Sequence, residues 1–222
     1  MTGVKILLVD DHPIVREGYR RLLERQPGFV VCAEVDNAQS AYQAYKECKP
    51  DIVVMDITMP GASGIEAVRH IRQLDKNARI LIFSMHLGAA MTLMAFEAGA
   101  LGYVTKSSAP GELIRAVSAV ASGARVLSED VSQALAADRL AGSSHVVNDL
   151  SPREAEILRL LASGLASEDI AELLSLSPKT VRNQHYAIKS KIGARNDAHM
   201  VWLAVEAGLV QINDVKIELS QD

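Results

Sequence analysis

Acidic, hydroxyl and cationic side chains recur at the ends of short apolar segments in the first half of the chain. Asp10 and Asp11 follow the segment KILLV, and Asp56 ends the segment DIVVMD. Ser84 ends the segment RILIFS, and Lys106 follows GYVT. Three neighbouring carboxylates repel one another unless a cation compensates them, and oxygen ligands of this kind suit Mg²⁺. A carboxylate can attack phosphorus, while an ammonium group and a hydroxyl stabilise the phosphoryl oxygens, so we predict that Asp56 is a nucleophile.

The elements that must position these side chains form a regular alternation. Runs of β-branched and aliphatic residues that are typical of buried strands occupy residues 5–10, 29–35, 51–56, 79–84 and 102–105. Helical patterns lie between and after them, at residues 13–26, 37–48, 64–75, 89–98 and 109–122. This order predicts an α/β doubly wound, flavodoxin-like fold with a five-stranded parallel sheet. Ligands of such sheets bind at the carboxyl ends of the strands, where the predicted site residues converge.

Composition sets the broad class of the protein. At 222 residues and 49% hydrophobic content, two domains of ordinary size are expected. No apolar run approaches the roughly 18 residues of a membrane span, and the N-terminus runs into acidic residues, unlike a signal peptide. We therefore expect a cytoplasmic protein that does not interact with a membrane. Cys32 and Cys48 have no metal-ligand spacing, and we interpret them as packing residues.

The second half of the chain has a different pattern. We predict a first domain at residues 1–127, a linker at 128–148 whose first part can form a short helix, a helical domain at 149–213 and a tail at 214–222. Three helix starts in the helical domain are marked by serines: Ser151 with a capping-box Glu154, Ser167 before two acidic residues, and Ser177 before a proline. A fourth helix begins near residue 196 and ends at Gly208. The all-α pattern with a short connection before Ser177 predicts a helix-turn-helix.

The third of these helices lies in the longest basic stretch of the sequence. Residues 177–195 hold five lysines and arginines and no aspartate or glutamate. Arg182 and Asn183 are residue types that bind guanine and adenine edges in the major groove, whereas Lys189 suits phosphate oxygens. We therefore predict a DNA-recognition helix at about 178–191. The predicted DNA-binding residues are Lys179, Thr180, Arg182, Asn183, Tyr186, Lys189, Lys191 and Arg195.

Four motifs give the first domain a resemblance to a known family. VDDH (9–12), VVMDITMPGASG (53–64), FSM (83–85) and GYVTKS (102–107) resemble the receiver domain of response regulators. The resemblance implies that Asp10, Asp11 and Asp56 bind Mg²⁺ together with the backbone carbonyl of Thr58. It implies that Asp56 accepts a phosphoryl group from a sensor histidine kinase.

The same resemblance extends to the residues around the phosphoryl group. Ser84 and Lys106 are implied to contact the phosphoryl oxygens, and Tyr103 is implied to turn inward on activation. Pro60 and Gly61 fit the turn that follows the phosphorylated residue.

The helical domain resembles the LuxR-type helix-turn-helix. The motifs LSPREAEILRLLASG (150–164) and SPKTVRNQ (177–184) support this resemblance, and the pairing with a receiver is the hallmark of the NarL/FixJ class. Gln184 stands where that class commonly has a histidine. The resemblance implies homodimers on DNA with two half-sites. Candidate interface positions on the last helix are Ala198, Val201, Trp202 and Val205, although Trp202 is equally suited to the domain core.

Other functions remain open at this point. An aspartyl-phosphate phosphatase generally has an acid two residues after its nucleophile, and that position is Thr58. A small-molecule-dependent regulator and a receiver that works without phosphorylation are further alternatives. We expect no enzyme beyond phosphotransfer and dephosphorylation at Asp56. Phosphorylation is expected to act by dimerisation, by release of the recognition helix, or by both.

Overall fold

The computed structural model describes residues 3–59, 62–141 and 150–210. The turn predicted at Pro60 and Gly61, the second part of the predicted linker and the predicted tail at 214–222 lie outside the described residues. The described chain forms an α/β domain, up to residue 141, and a helical domain from residue 150.

The α/β domain is built on a parallel sheet. Its strands are β1 (Val4–Val9), β2 (Phe29–Val35), β3 (Ile52–Met55), β4 (Ile80–Ser84), β5 (Gly102–Thr105) and β6 (Val126–Leu127), in the order β2-β1-β3-β4-β5-β6. All strand pairs are parallel. The prediction of five strands missed β6, because a two-residue strand is too short to produce an apolar run. The strand order reverses between β1 and β3, which places a ligand crevice at their carboxyl ends.

Helices cover both faces of this sheet. They are α1 (Pro13–Glu24), α2 (Ala38–Cys48), α3 (Gly64–Leu74), α4 (Ala89–Ala98) and α5 (Pro110–Ala121). Alternate residues of β1 point to opposite faces, so Leu7 and Val9 pack in the core with α2, α3 and α4, while Ile6 and Leu8 pack with α1 and α5. Both faces of the sheet are therefore buried, and the doubly wound fold class is confirmed.

A sixth helix follows the sheet. Helix α6 (Glu129–Ala141) packs against α4 and β5, and Val131 is buried there. The sequence placed these residues in the linker with a short helix at its start. In the structure, α6 is an extension of the α/β domain, and α4 is consequently enclosed by α3, α6 and the sheet.

The helical domain contains α7 (Pro152–Ala162), α8 (Ser167–Leu173), α9 (Pro178–Lys191) and α10 (Asp197–Glu206). The oxygens of Ser151 and Ser177 cap α7 and α9 as predicted, whereas Ser167 is the first helical residue of α8 and Ala166 occupies the cap position. The capping prediction for Ser167 was wrong by one residue, because a serine near a helix start suits either position. Trp202 is 56% exposed on α10, which excludes it from the core.

The described parts of the two domains are in contact with each other. Helix α7 packs against α3 and α4. The loop before α4 meets the loop after α10 so closely that a Cβ atom on Gly88 would lie 2.2 Å from the carbonyl oxygen of Gly208. The carboxyl edge of the sheet therefore faces the first helix of the helical domain.

Gly64 should be essential for the geometry around Asp56. A Cβ atom at Gly64, the first residue of α3, would lie 1.9 Å from the carbonyl oxygen of Asp56. We expect Gly64→Ala to lower the free energy of unfolding of the α/β domain by about 1–3 kcal/mol, because the backbone of Asp56 must move. The control is Gly18→Ala in α1, where no atom lies within 4 Å of the added carbon. Denaturant unfolding should show Gly18→Ala to be more stable than wild type by about 0.5–1 kcal/mol, and equal effects of the two variants would contradict the packing argument.

Glu156 should make the helical domain sensitive to pH. Its side chain is fully buried in α7, 3.1 Å from Arg153, and burial raises the pKa of Glu156 to about 7 against the opposing charge of Arg153. The protonated carboxyl of Glu156 binds its proton more tightly in the folded state than in the unfolded chain. The protein therefore loses stability as the pH rises from the ordinary glutamate pKa of 4.5 through about 7, where Glu156 becomes charged in the folded state.

We expect Glu156→Gln to gain stability relative to wild type between about pH 5 and about pH 8, by up to about 3 kcal/mol. Urea unfolding followed by the fluorescence of Trp202, the one tryptophan of the chain, reports on the helical domain. A stability difference between the two proteins that stays constant with pH would contradict the raised pKa.

Candidate functional site

A buried ion-pair cluster lies at the carboxyl ends of β1, β3 and β5. Asp10 and Asp56 are only 2% and 4% exposed, and Nζ of Lys106 lies 2.6 Å from Oδ2 of each. The parallel ladder sets this geometry, because the amide of Asp56 donates to the carbonyl of Val9 in the neighbouring strand. The structure thus brings together three of the strand-end residues that the sequence predicted.

The charges in this cluster shift one another's protonation. Burial raises the pKa of Asp56, and the positive charge and hydrogen bond of Lys106 oppose that shift. Burial by itself lowers the pKa of Lys106, but the two carboxylates outweigh it and the net pKa is raised. Burial also raises the pKa of Asp11, against the effect of neighbouring His12. Lys106 therefore stays protonated and compensates the carboxylates.

The acidic residues suit a hard divalent cation. Asp10, Asp11, His12 and Asp56 each offer a ligand atom, and these atoms lie within 4.8 Å of one another. Oδ1 of Asp11 is buried without a hydrogen-bond donor of suitable geometry, although Nδ1 of His12 lies 2.7 Å away. A carboxylate oxygen in this condition is a natural cation ligand, and three carboxylates form the oxygen-rich donor set that Mg²⁺ prefers.

Ser84, Tyr103 and Thr58 lie around the cluster, and one further residue links them. The resemblance implied that Tyr103 turns inward on activation, and in this structure its side chain is already inward. Ser84 and Tyr103 are fully buried. The Tyr103 hydroxyl donates to the carbonyl of His86 at 2.9 Å, the amide of His86 donates to Oγ of Ser84 at 3.4 Å, and Nε2 of His86 lies 2.8 Å from Oγ1 of Thr58. Burial, together with the charges of Arg159 and Lys106, lowers the pKa of His86 to about 3, so its ring is neutral. Sequence reasoning missed His86, although it follows a strand end by two residues.

A cavity of about 280 Å³ opens beside Asp56. Thr58, Ser84 and Lys106 line it from the α/β domain, and Arg159 lines it from α7 of the helical domain. No local pattern indicates Arg159 as a site residue, because it is one polar position in an amphipathic helix. The cavity is large enough for a phosphoryl group and is bordered by both domains.

The predicted DNA-recognition residues lie on and beside α9. Arg182, Tyr186 and Lys191 are exposed, and Lys189 is partly exposed.

Most of these basic side chains form ion pairs with acidic residues of the helical domain. Arg182 lies 2.9 Å from Glu168, Lys189 lies 2.7 Å from Asp197, and Lys191 lies 2.9 Å from Glu154. Of the other predicted residues, Lys179, Asn183 and Arg195 are exposed, and Thr180 is half-buried beside Ser177.

In the part of the chain that the structure describes, every helix is too short or too polar to cross a lipid bilayer.

Comparison with known proteins gives the same two-part division. Residues 6–118 match the response regulator receiver domain, and residues 148–204 match the bacterial regulatory proteins of the luxR family. The chain is 34% identical over 208 residues to the response regulator UvrY of Escherichia coli (strain K12), covering 93% of this chain and 95% of UvrY. It is also 34% identical over 206 residues to the nitrate/nitrite response regulator protein NarL of the same strain, covering 90% of this chain and 95% of NarL.

Two solved structures are similar in fold. A LuxR-family two-component response regulator from Aurantimonas sp. SI85-9A1 has 61% sequence identity and a TM-score of 0.61, covering 62% of this chain and 99% of that chain. The RcsB response regulator of Salmonella typhimurium has 27% identity and a TM-score of 0.69, covering 93% of this chain and 100% of that chain.

An acidic pocket on a doubly wound sheet, joined to a helix-turn-helix, defines a class of DNA-binding signalling proteins. Within that class, the chain belongs to the two-component response regulators of the NarL/FixJ class, with a receiver domain and a LuxR-type helix-turn-helix. It is a DNA-binding transcriptional regulator.

Two positions on α9 should contribute differently to DNA binding. We expect Arg182→Ala to reduce the affinity ratio between specific and random DNA about tenfold or more, because a bidentate base contact is lost. Lys189→Ala should weaken binding to all sequences alike and lower the salt dependence, because a phosphate contact is lost. Fluorescence anisotropy at several salt concentrations measures both effects. Lys46→Ala, which removes an exposed charge from α2, is the control; the two α9 variants behaving identically would contradict this division of roles.

Proposed function

We propose that the protein is a phosphorylation-gated transcriptional regulator in which Asp56 accepts a phosphoryl group from the phosphohistidine of a sensor kinase. The observation that carries this proposal is the buried Asp56 carboxylate, 2.6 Å from Nζ of Lys106 and at the wall of a cavity, in the same chain as a recognition helix. Asp10, Asp11, Asp56 and the carbonyl of Thr58 would hold Mg²⁺, which when bound neutralises charge on the phosphoryl oxygens.

The chemical step is a transfer between two nucleophiles. An oxygen of Asp56 forms a bond to phosphorus, the P–N bond of the phosphohistidine breaks, and its electron pair stays on the imidazole nitrogen. The amide of Ile57 donates to Oδ1 of Asp56 at 2.6 Å, and Lys106 donates to Oδ2. These donors orient the carboxylate, and Lys106 with Ser84 is placed to stabilise the phosphoryl oxygens as they arrive.

The arrangement of the domains favours dimerisation as the step by which phosphorylation leads to DNA binding. Tyr186 is 72% exposed, so the described part of the receiver does not cover the reading face of α9, and release of that helix is unnecessary. The exposed Trp202 offers an apolar contact on α10. A solved structure of two RcsB dimers bound to two parallel DNAs is similar to this chain, with 27% identity and a TM-score of 0.58. We propose that this protein likewise binds two DNA half-sites as a homodimer.

In this proposal the protein catalyses only its own phosphorylation and dephosphorylation, and it functions in the cytoplasm, which holds the DNA that it binds.

The alternative of a general phosphatase is disfavoured because the position two residues after Asp56 is Thr58, whose hydroxyl already contacts His86. A threonine cannot protonate a leaving group as a carboxylic acid does.

The proposal is tested by labelling with radioactive acetyl phosphate in the presence of Mg²⁺. We expect Asp56→Asn to lose essentially all of the hydroxylamine-sensitive label that marks an acyl phosphate, because an amide oxygen is a poor nucleophile. Asp51→Asn is the matched control, since this exposed carboxylate directly precedes β3, whereas Asp56 directly follows it, and it accepts from the amide of Lys5 at 2.8 Å. Removal of Mg²⁺ with a chelator should also abolish labelling of the wild type. Equal labelling of wild type and Asp56→Asn would refute the assignment of the nucleophile.

A further inference from the structure

Arg159 is the one residue of the helical domain among the described residues that line the cavity beside Asp56. It lies in the second half of α7, the helix that packs against α3 and α4 of the receiver. Its positive charge lowers the pKa of His86, after the larger effect of burial. It also opposes the raised pKa of Tyr103, for which burial and Asp56 are the larger causes. A cation from one domain thus stands at the reactive pocket of the other.

We propose that Arg159 is a ligand of the phosphoryl group on Asp56, so that phosphorylation joins the receiver directly to α7 of the DNA-binding domain. This inference rests on the proposed function of Asp56. It adds a binding residue from outside the receiver, and it assigns to phosphorylation a strengthened contact between the domains.

The charge balance of the pocket favours such a ligand. Phosphorylation converts the Asp56 carboxylate to a neutral ester and adds a phosphoryl group of about two negative charges. With Asp10 and Asp11 ionised, a bound Mg²⁺ and Lys106 compensate all but about one negative charge. A guanidinium offers several donors in a planar fork that matches phosphoryl oxygens, and it is charged at any physiological pH. Arg159, which lines the same cavity, is a cation that can add to this compensation.

A second contact, near the end of α10, holds the helical domain beside the pocket. The segment from Ser84 to Gly88 leads from the pocket wall to the contact with Gly208 of the helical domain. The same segment holds His86, which contacts Thr58 and Tyr103. The side chain of Arg182 on α9 is 53% exposed in this arrangement of the domains. A tighter contact between α7 and the receiver is therefore compatible with DNA binding by α9.

The test uses the full-length protein and beryllofluoride with Mg²⁺ as a phosphoryl mimic. We expect Arg159→Gln to weaken beryllofluoride binding about tenfold or more, because one charge-assisted interaction is lost. Arg159→Lys, which keeps the charge without the fork, should lie between Arg159→Gln and wild type. Arg115→Gln removes an exposed arginine from α5 and should bind as wild type does. Isothermal titration calorimetry measures each affinity.

A second readout separates a phosphoryl ligand from a merely structural arginine. In the wild type, beryllofluoride should slow hydrogen exchange of the α7 amides, and in Arg159→Gln it should not. Wild-type affinity in Arg159→Gln, or faster exchange of α7 on binding in the wild type, would overturn the role of Arg159 while leaving Asp56 as acceptor. Failure of the wild type to bind beryllofluoride at all would instead overturn the proposed function together with this inference.

Discussion

Two buried carboxylates on neighbouring strands, Asp10 and Asp56, share one ammonium group. Carboxylates this close in a low-dielectric environment remain ionised only with a compensating cation. In this protein the compensation comes from Lys106, with 2.6 Å to each partner. Because the lysine follows β5 while the carboxylates follow β1 and β3, the ion pairs form only when β4 has joined the sheet between them. Assembly of the central strands and assembly of the reactive site are therefore the same event.

The segment after β4 leads from that site to a packing contact with the helical domain. Ser84 borders the cavity, His86 is fixed by Thr58 and Tyr103, and Gly88 touches the carbonyl of Gly208. A displacement at Ser84 has few residues in which to be absorbed before it reaches the helical domain. Since packed interiors respond to such displacements by repacking, this segment is well placed to transmit a charge change at Asp56.

Residues that are marked by a local pattern were predictable, and residues that are placed by tertiary contact were not. Asp10, Asp56 and Lys106 each follow an apolar run, so strand periodicity and the rule for parallel sheets brought them together correctly. Strand β6 escaped notice because two residues carry no periodicity. Arg159 lies far from Asp56 in the sequence, and its own helix shows only an amphipathic pattern. Its position depends on how α7 docks on α3 and α4, which no local rule specifies.

Helices α8 and α10 supply acidic partners to the recognition helix α9. Glu168 holds Arg182, and Asp197 holds Lys189 and lies 3.2 Å from His185. In the proposed function, DNA would displace these carboxylates, which compete with it for the same cations. Phosphate contacts would replace the displaced ion pairs on DNA of any sequence, with a gain from counterion release. At the specific site Arg182 would in addition contact a base edge, which Glu168 does not offer. The carboxylates would thus act as a competitor of all DNA, and only the specific site would offer Arg182 more than an exchange of ionic partners.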